Sequence, residues 1–140
     1  MKVNIAFETT DMDGEISKTS QFAVMERTKD GYRLVYVEDV LNNGNKIKAT
    51  MLVTNDSLRV IRSGAVNCDF MYGTAMVHNT SYETPYGKFP VTLTTKSYFF
   101  EEQGKSEQDF ALKVDSTYDL VFVGQEPLSM RICLTITPIK

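Results

Sequence analysis

The sequence predicts an all-β protein, a single antiparallel up-and-down barrel of about eight to ten strands that takes residues 1–140 as one domain. Three observations carry that expectation. Apolar residues recur at every second position almost from end to end, the spacing that sends alternate side chains to opposite faces of a strand. Turn formers interrupt the pattern at short intervals. No segment has a helical apolar period of about 3.6 residues, and no connection is long enough to join parallel strands. One open sheet of about nine strands would leave two exposed edges, and closure removes them. A two-sheet sandwich is the alternative, because periodicity alone does not separate the two.

In chain order, Val3, Ile5 and Phe7 share the first apolar face, and Ile16, Phe22 and Val24 the second. Tyr32, Leu34, Tyr36 and Val40 follow, then Ile47, Ala49, Met51 and Val53, then Leu58 and Val60. Val66, Cys68, Phe70 and Tyr72 make a further set, as do Phe89, Val91, Leu93 and Phe99, while Met130, Ile132, Leu134 and Ile136 close the chain. The longest run, Phe110, Leu112, Val114, Tyr118, Leu120 and Phe122, keeps its parity across Asp115–Thr117 and so reads as one long strand. Asp13-Gly14, Asp30-Gly31 and Asn43-Gly44 suit the positive φ angles of tight hairpin turns. Asn55-Asp56, Gln103-Gly104 and Gly124-Gln125-Glu126-Pro127 mark looser connections.

With 42% hydrophobic and 24% charged residues in a chain of 140, the composition is that of a soluble globular domain with room for a sizeable core. No apolar run reaches the ~18–20 residues a spanning helix needs, so no membrane partner is expected. A formal net charge of -3 likewise disfavours nucleic acid. The opening Met1-Lys2-Val3-Asn4-Ile5-Ala6-Phe7 has neither the basic nor the apolar region of a secretory signal, which points to the cytoplasm. There Cys68 and Cys133 are expected as free thiols, and the sequons at Asn55 and Asn79 as chance matches.

Most chemistry-bearing patterns fail. His78, the only histidine, sits in the polar run His78-Asn79-Thr80-Ser81, which reads more simply as an exposed loop than as a base or ligand. The cysteines lack zinc-type spacing; Cys68 shares the parity of Phe70 and Tyr72 and reads as core filler, Cys133 as outward-facing. Asp11-Met12-Asp13-Gly14 begins like a calcium loop but puts Ser20 where a bidentate glutamate belongs. Phosphate-binding glycine patterns are absent, and the basic stretch Lys46, Lys48, Arg59 and Arg62 suits a solvated exterior. No catalytic residue, metal or cofactor is therefore expected.

Charges on the apolar parity are more informative: Glu26 after Val24, Glu38 after Tyr36, and Arg62 after Val60. Charges seldom lie inside unless paired or within reach of water. Arg62 is either the plug of one barrel end, held by an ion pair, or the anion-recognising group of an internal pocket, where its planar fork suits a carboxylate or phosphate. In Tyr82-Glu83-Thr84-Pro85-Tyr86-Gly87, Pro85 and Gly87 imply a rigid corner whose tyrosines either lid the barrel or line a mouth.

The succession Arg62-Ser63-Gly64, Phe70-Met71-Tyr72 and Tyr82-Glu83-Thr84-Pro85-Tyr86-Gly87 resembles the YwiB-like family of small bacterial proteins. The later patterns Leu112–Val114, Tyr118–Leu120 and Met130–Ile136 are similar to it as well, so the resemblance covers essentially the whole chain. It implies a calycin-like, lipocalin-type β-barrel from a bacterial cytoplasm, and it brings no reaction and no ligand with it.

The function expected on these grounds is non-catalytic binding of a small, partly apolar molecule with an anionic group. Arg62, Glu38, Tyr82, Thr84 and Tyr86 are the candidate ligand-binding residues. Met51 and Met71 lie on opposite parities, so only one of them can face inward. The alternatives are an interaction module with a filled interior, a homodimer among its forms, and last an enzyme on an anionic metabolite using Arg62 with Glu38 as base.

Overall fold

The computed structural model describes residues 1–40, 45–106 and 109–139. The strands are β1 (Lys2–Thr10), β2 (Ile16–Arg27), β3 (Gly31–Val40), β4 (Asn45–Thr54), β5 (Ser57–Gly64), β6 (Asn67–Gly73), β7 (Val77–Thr84), β8 (Gly87–Ser106), β9 (Asp109–Phe122) and β10 (Leu128–Pro138). Each pairs antiparallel with its neighbours in the chain and β1 closes on β10, so the sheet is one closed ten-stranded barrel and not a sandwich. No helix occurs among the described residues.

The barrel's waist is solid. Ile5, Leu34, Met51, Leu58, Leu93, Leu112, Val114, Leu134 and Ile136 are all fully buried, each on the parity its strand's apolar spacing predicts. Met51 is thus the inward methionine. β9 runs unbroken across Asp115–Thr117 and carries Ser116 inward; its hydroxyl donates to Ser97 O at 2.8 Å, which satisfies a polar group in an apolar row.

Two strands differ from the expected faces. In β2 the buried residues are Ala23 and Met25, while Ile16, Phe22 and Val24 are 54%, 75% and 58% exposed. The register with β1 places Ala23 opposite Val3 and Gln21 opposite Ile5, so the odd residues, and not the larger even ones, share the core face. Glu26 consequently faces out and pairs with Arg33 at 2.9 Å. In β8, Val91 and Leu93 are inward, but the register shifts between Thr95 and Ser97. That bulge reverses the parity, so Tyr98 and Phe100 pack on the core and Phe99 faces solvent. Phe89 lies at the rim, 44% exposed.

The connections correct three further expectations. Gly31 does not adopt a positive φ; a Cβ there would lie 1.9 Å from Val53 O, so close approach of β4 is what requires glycine. Gln103-Gly104 is a bulge within β8 and not a turn, with Gly104 at φ +83°. His78 lies on β7 and not in a loop; its Nε2 sits 2.9 Å from Asp69 O. That contact stitches a seam, because β6 and β7 pair only through Asn67–Cys68 and Tyr82–Glu83. A second seam opens between β2 and β3, which pair only over Val24–Arg27 and Tyr32–Val35. Inside it, the rings of Phe7 and Tyr36 meet at 5.9 Å. Asn43-Gly44 and the side chain of Val40 lie outside the described residues.

Candidate functional site

At the barrel end where β3 and β5 finish and β6 begins, Tyr36, Ala49, Arg62, Cys68 and Tyr82 stand directly opposite one another across β3, β4, β5, β6 and β7. Ala49 is the small member of this inward row, which leaves room above it for Tyr36 and Arg62 to converge. Glu38, one inward position beyond Tyr36, accepts a hydrogen bond from Arg62 Nε at 3.2 Å. Both side chains are 26% exposed, which puts the pair at the mouth of the barrel and not at its waist.

The ion pair uses only one edge of the guanidinium. Among the described residues, neither the terminal nitrogens of Arg62 nor the buried hydroxyl of Tyr36 makes a hydrogen bond of good geometry, although Arg62 and Glu38 lie close enough to that hydroxyl to bear on its titration. Burial pushes the Tyr36 hydroxyl up to about 12, with Arg62 pulling against the shift and Glu38 adding to it. Tyr72 and Tyr118, edge to face at 4.8 Å, are likewise raised by burial and likewise feel Arg62. Burial opposes the charge of Arg62 itself, but Tyr36 and Glu38 more than offset it, so the guanidinium stays firmly charged. Burial also raises the Cys68 thiol, which Arg62 only partly counters; it is core filler at neutral pH and not a poised nucleophile.

The exposures around this end mark where water reaches. The waist residues are at 0%, whereas Tyr36 keeps 3%, Tyr118 5%, Cys68 7% and Phe70 8%. Tyr82 faces inward beside them and stacks on Phe70 at 6.3 Å. The structure thus brings Arg62, Glu38 and Tyr82 to one end. It does not bring Thr84 or Tyr86 with them. The Thr84 hydroxyl accepts from Tyr86 N at 3.1 Å and serves the β7–β8 turn, while Tyr86 is 93% exposed at its tip. Tyr36, Tyr72 and Tyr118 complete the site; spacing marks them only as apolar positions, and their one signal in the sequence is a phenol on an inward parity where phenylalanine would pack as well.

The opposite end holds an open cleft of about 210 Å³ lined by Arg27, Lys29, Asp30, Tyr32, Phe100 and Glu102. Its principal donors and acceptors satisfy one another: Arg27 donates to the Tyr32 hydroxyl at 3.0 Å, and that hydroxyl donates to Glu102. No group of three His, Cys, Asp or Glu that could hold a metal is found among the described residues.

A closed ten-stranded antiparallel barrel with a solid waist is consistent with the calycin-like class. The chain belongs to the family described as a domain of unknown function, DUF1934, whose pattern matches residues 3–134. It is similar to the ywiB protein from Bacillus subtilis, whose crystal structure matches with a TM-score of 0.80 over 99% of this chain and 92% of that one, at 19% identity. No curated protein matches. The family and the barrel inferred from the corner at Tyr82–Gly87 and its flanking strands therefore hold, and at that identity the likeness concerns the fold.

Proposed function

We propose that the protein is a lipocalin-like, non-catalytic binding barrel of the cytoplasm that takes a small carboxylate with a short apolar body into the Arg62 end. The head group would lie on the terminal nitrogens of Arg62 and the Tyr36 hydroxyl, with the apolar body against Phe70 and Tyr82. The observation that supports this most is the buried Tyr36 hydroxyl, unpartnered beside a guanidinium that uses one edge only. Buried polar groups are almost always hydrogen-bonded, and an exception beside an unused donor set suits a missing acceptor. Charge selects the head group. Glu38 already balances Arg62, so a monoanion leaves one net negative charge at the mouth, where a phosphate dianion would leave two. The solid waist limits the body: Met51, Leu58, Leu93 and Leu112 are fully buried and make the site blind.

Titration calorimetry with matched carboxylates, amines and alcohols of short chain length tests the reading. The carboxylates are expected to bind and the amines not. Arg62→Met and Tyr36→Phe, verified as folded, should each weaken binding about tenfold, the worth of one charge-assisted or buried hydrogen bond. Absence of binding across the panel, together with a bare mass by native mass spectrometry of gently purified protein, would discard it.

A further inference from the structure

Strand β2 is paired with β1 from Ile16 to Val24 but with β3 only from Val24 onward. Its first part, Ile16–Ala23, therefore has a free edge among the described residues, and Ile16–Ser20 are exposed on both faces. Alternation decides which backbone groups lie on that edge. Met25 donates to Met1 O at 2.8 Å and accepts from the Met1 amine at 3.2 Å, so odd-numbered residues of β2 turn their polar groups toward β1. Even-numbered residues turn theirs away, as the bond from Thr28 N to Gly31 O on the β3 side shows. The groups left on the free edge are those of Ile16, Lys18, Ser20 and Phe22. Their side chains point outward, with Ile16 54% and Phe22 75% exposed. The segment has no proline and no bulge to blunt it, and Lys18 is its only charge.

We propose that this edge pairs antiparallel with the same edge of a second copy, about a twofold axis through Thr19. Only the even residues carry edge groups, so few registers are possible. A register centred on Lys18 would set two lysines directly opposite. One centred on Ser20 would place Ile16 across from Val24, whose edge groups β3 already occupies. The register centred on Thr19 has neither fault. It lays Ile16 against Phe22 of the second copy, twice by symmetry, sets Lys18 across from Ser20, and pairs every free N–H and C=O of the segment. Because the twofold uses the free edge of both copies, the assembly closes at a dimer and does not propagate.

Sedimentation velocity over about three decades of concentration reads the association by mass action. A monomer–dimer equilibrium is expected for the unaltered chain. Ser20→Pro removes an N–H from the free edge and none from the β1–β2 ladder, so it should give a monomer whose thermal transition in dilute solution is retained. Ser20→Glu should tighten the dimer about 2- to 10-fold, since the lysine of each copy then faces a carboxylate across the strands. If Ser20→Pro does not fold, Phe22→Asp takes its place and should also give a monomer. A chain that stays monomeric throughout, a dimer that survives these disruptions, or one that Ser20→Glu weakens would each overturn the proposal.

Discussion

Replacing Tyr36 by phenylalanine removes one buried oxygen and leaves the packing as it is. The ring is 3% exposed and keeps its contact with Phe7 at 5.9 Å, so no cavity term enters. A buried hydroxyl with no partner carries a desolvation cost of about 1–3 kcal/mol with no hydrogen bond to offset it. Tyr36→Phe is therefore expected to stabilise the ligand-free protein by about 1–2 kcal/mol, or roughly 3–8 °C in Tm. Urea unfolding checks the value, with an unchanged m to show that the same surface is being exposed. A pH series sharpens it. Burial moves the Tyr36 hydroxyl from its ordinary 10.0 up to about 12, so between those values the unfolded chain has released a proton that the native chain retains. Stability from this group is complete below pH 10 and falls as pH rises toward 12, by about 2–3 kcal/mol. The variant is spared that fall, and its advantage should widen across the window. A variant that is less stable by more than about 0.5 kcal/mol, with a pH profile parallel to the parent's, would show that solvent already satisfies the hydroxyl. The head-group role given to Tyr36 would then go with it.

Glu38→Gln leaves Arg62 without its counter-ion, and should cost about 1–3 kcal/mol, less than for a fully buried pair because the mouth is a quarter exposed. The double change Arg62→Met with Glu38→Gln should recover most of that loss in a double-mutant cycle with the two single changes, and a neutral Glu38→Gln would assign the pair to solvent. Gly31→Ala drives a Cβ to 1.9 Å from Val53 O, so a loss above about 3 kcal/mol is expected by circular dichroism melting. Burial is the leading cause raising Tyr32, Tyr72, Tyr98 and Tyr118, so native protein should resist phenolate formation and lose stability as pH climbs past about 10. Ultraviolet absorbance should show these phenolates appearing with cooperative unfolding; a gradual appearance in the folded state would contradict the burial.

The barrel was legible wherever one parity of a strand is apolar and the other polar. β4, β5, β6, β9 and β10 meet that condition, and Arg62 could be placed inward because Leu58 and Val60 lead to it without a break. Elsewhere the pattern was ambiguous for physical reasons. β2 has apolar residues on both parities, and the larger ones, Phe22 and Val24, lie outside while Ala23 and Met25 lie inside. The β8 bulge at Thr95/Ser97 has no glycine to announce it, and the one at Gly104 has a glycine that reads equally as a turn. His78 belongs to a strand whose outward Val77 and inward Thr80 invert the usual preference, so the run looked like a loop. Tyr36, Tyr72 and Tyr118 were seen as hydrophobic because spacing registers the ring and not its hydroxyl.

The outward face of Phe22 and Val24 in β2 and the unsatisfied hydroxyl of Tyr36 both lie at the parting of β2 from β3 beyond Val24 and Val35. Outside the seam, the parting leaves the β3-side edge of Ile16–Ala23 unpaired among the described residues, where Phe22 faces outward. Inside it, no strand pairing remains to hold the wall, and the Phe7–Tyr36 contact takes that place. The Tyr36 ring is therefore structural, and phenylalanine would serve it equally. Its hydroxyl is not required for that contact, carries a desolvation cost, and lies beside the one guanidinium on the inward row. Under the proposed binding function the hydroxyl would be kept for the head group it meets and the ring for the wall, and the phenylalanine variant separates the two roles.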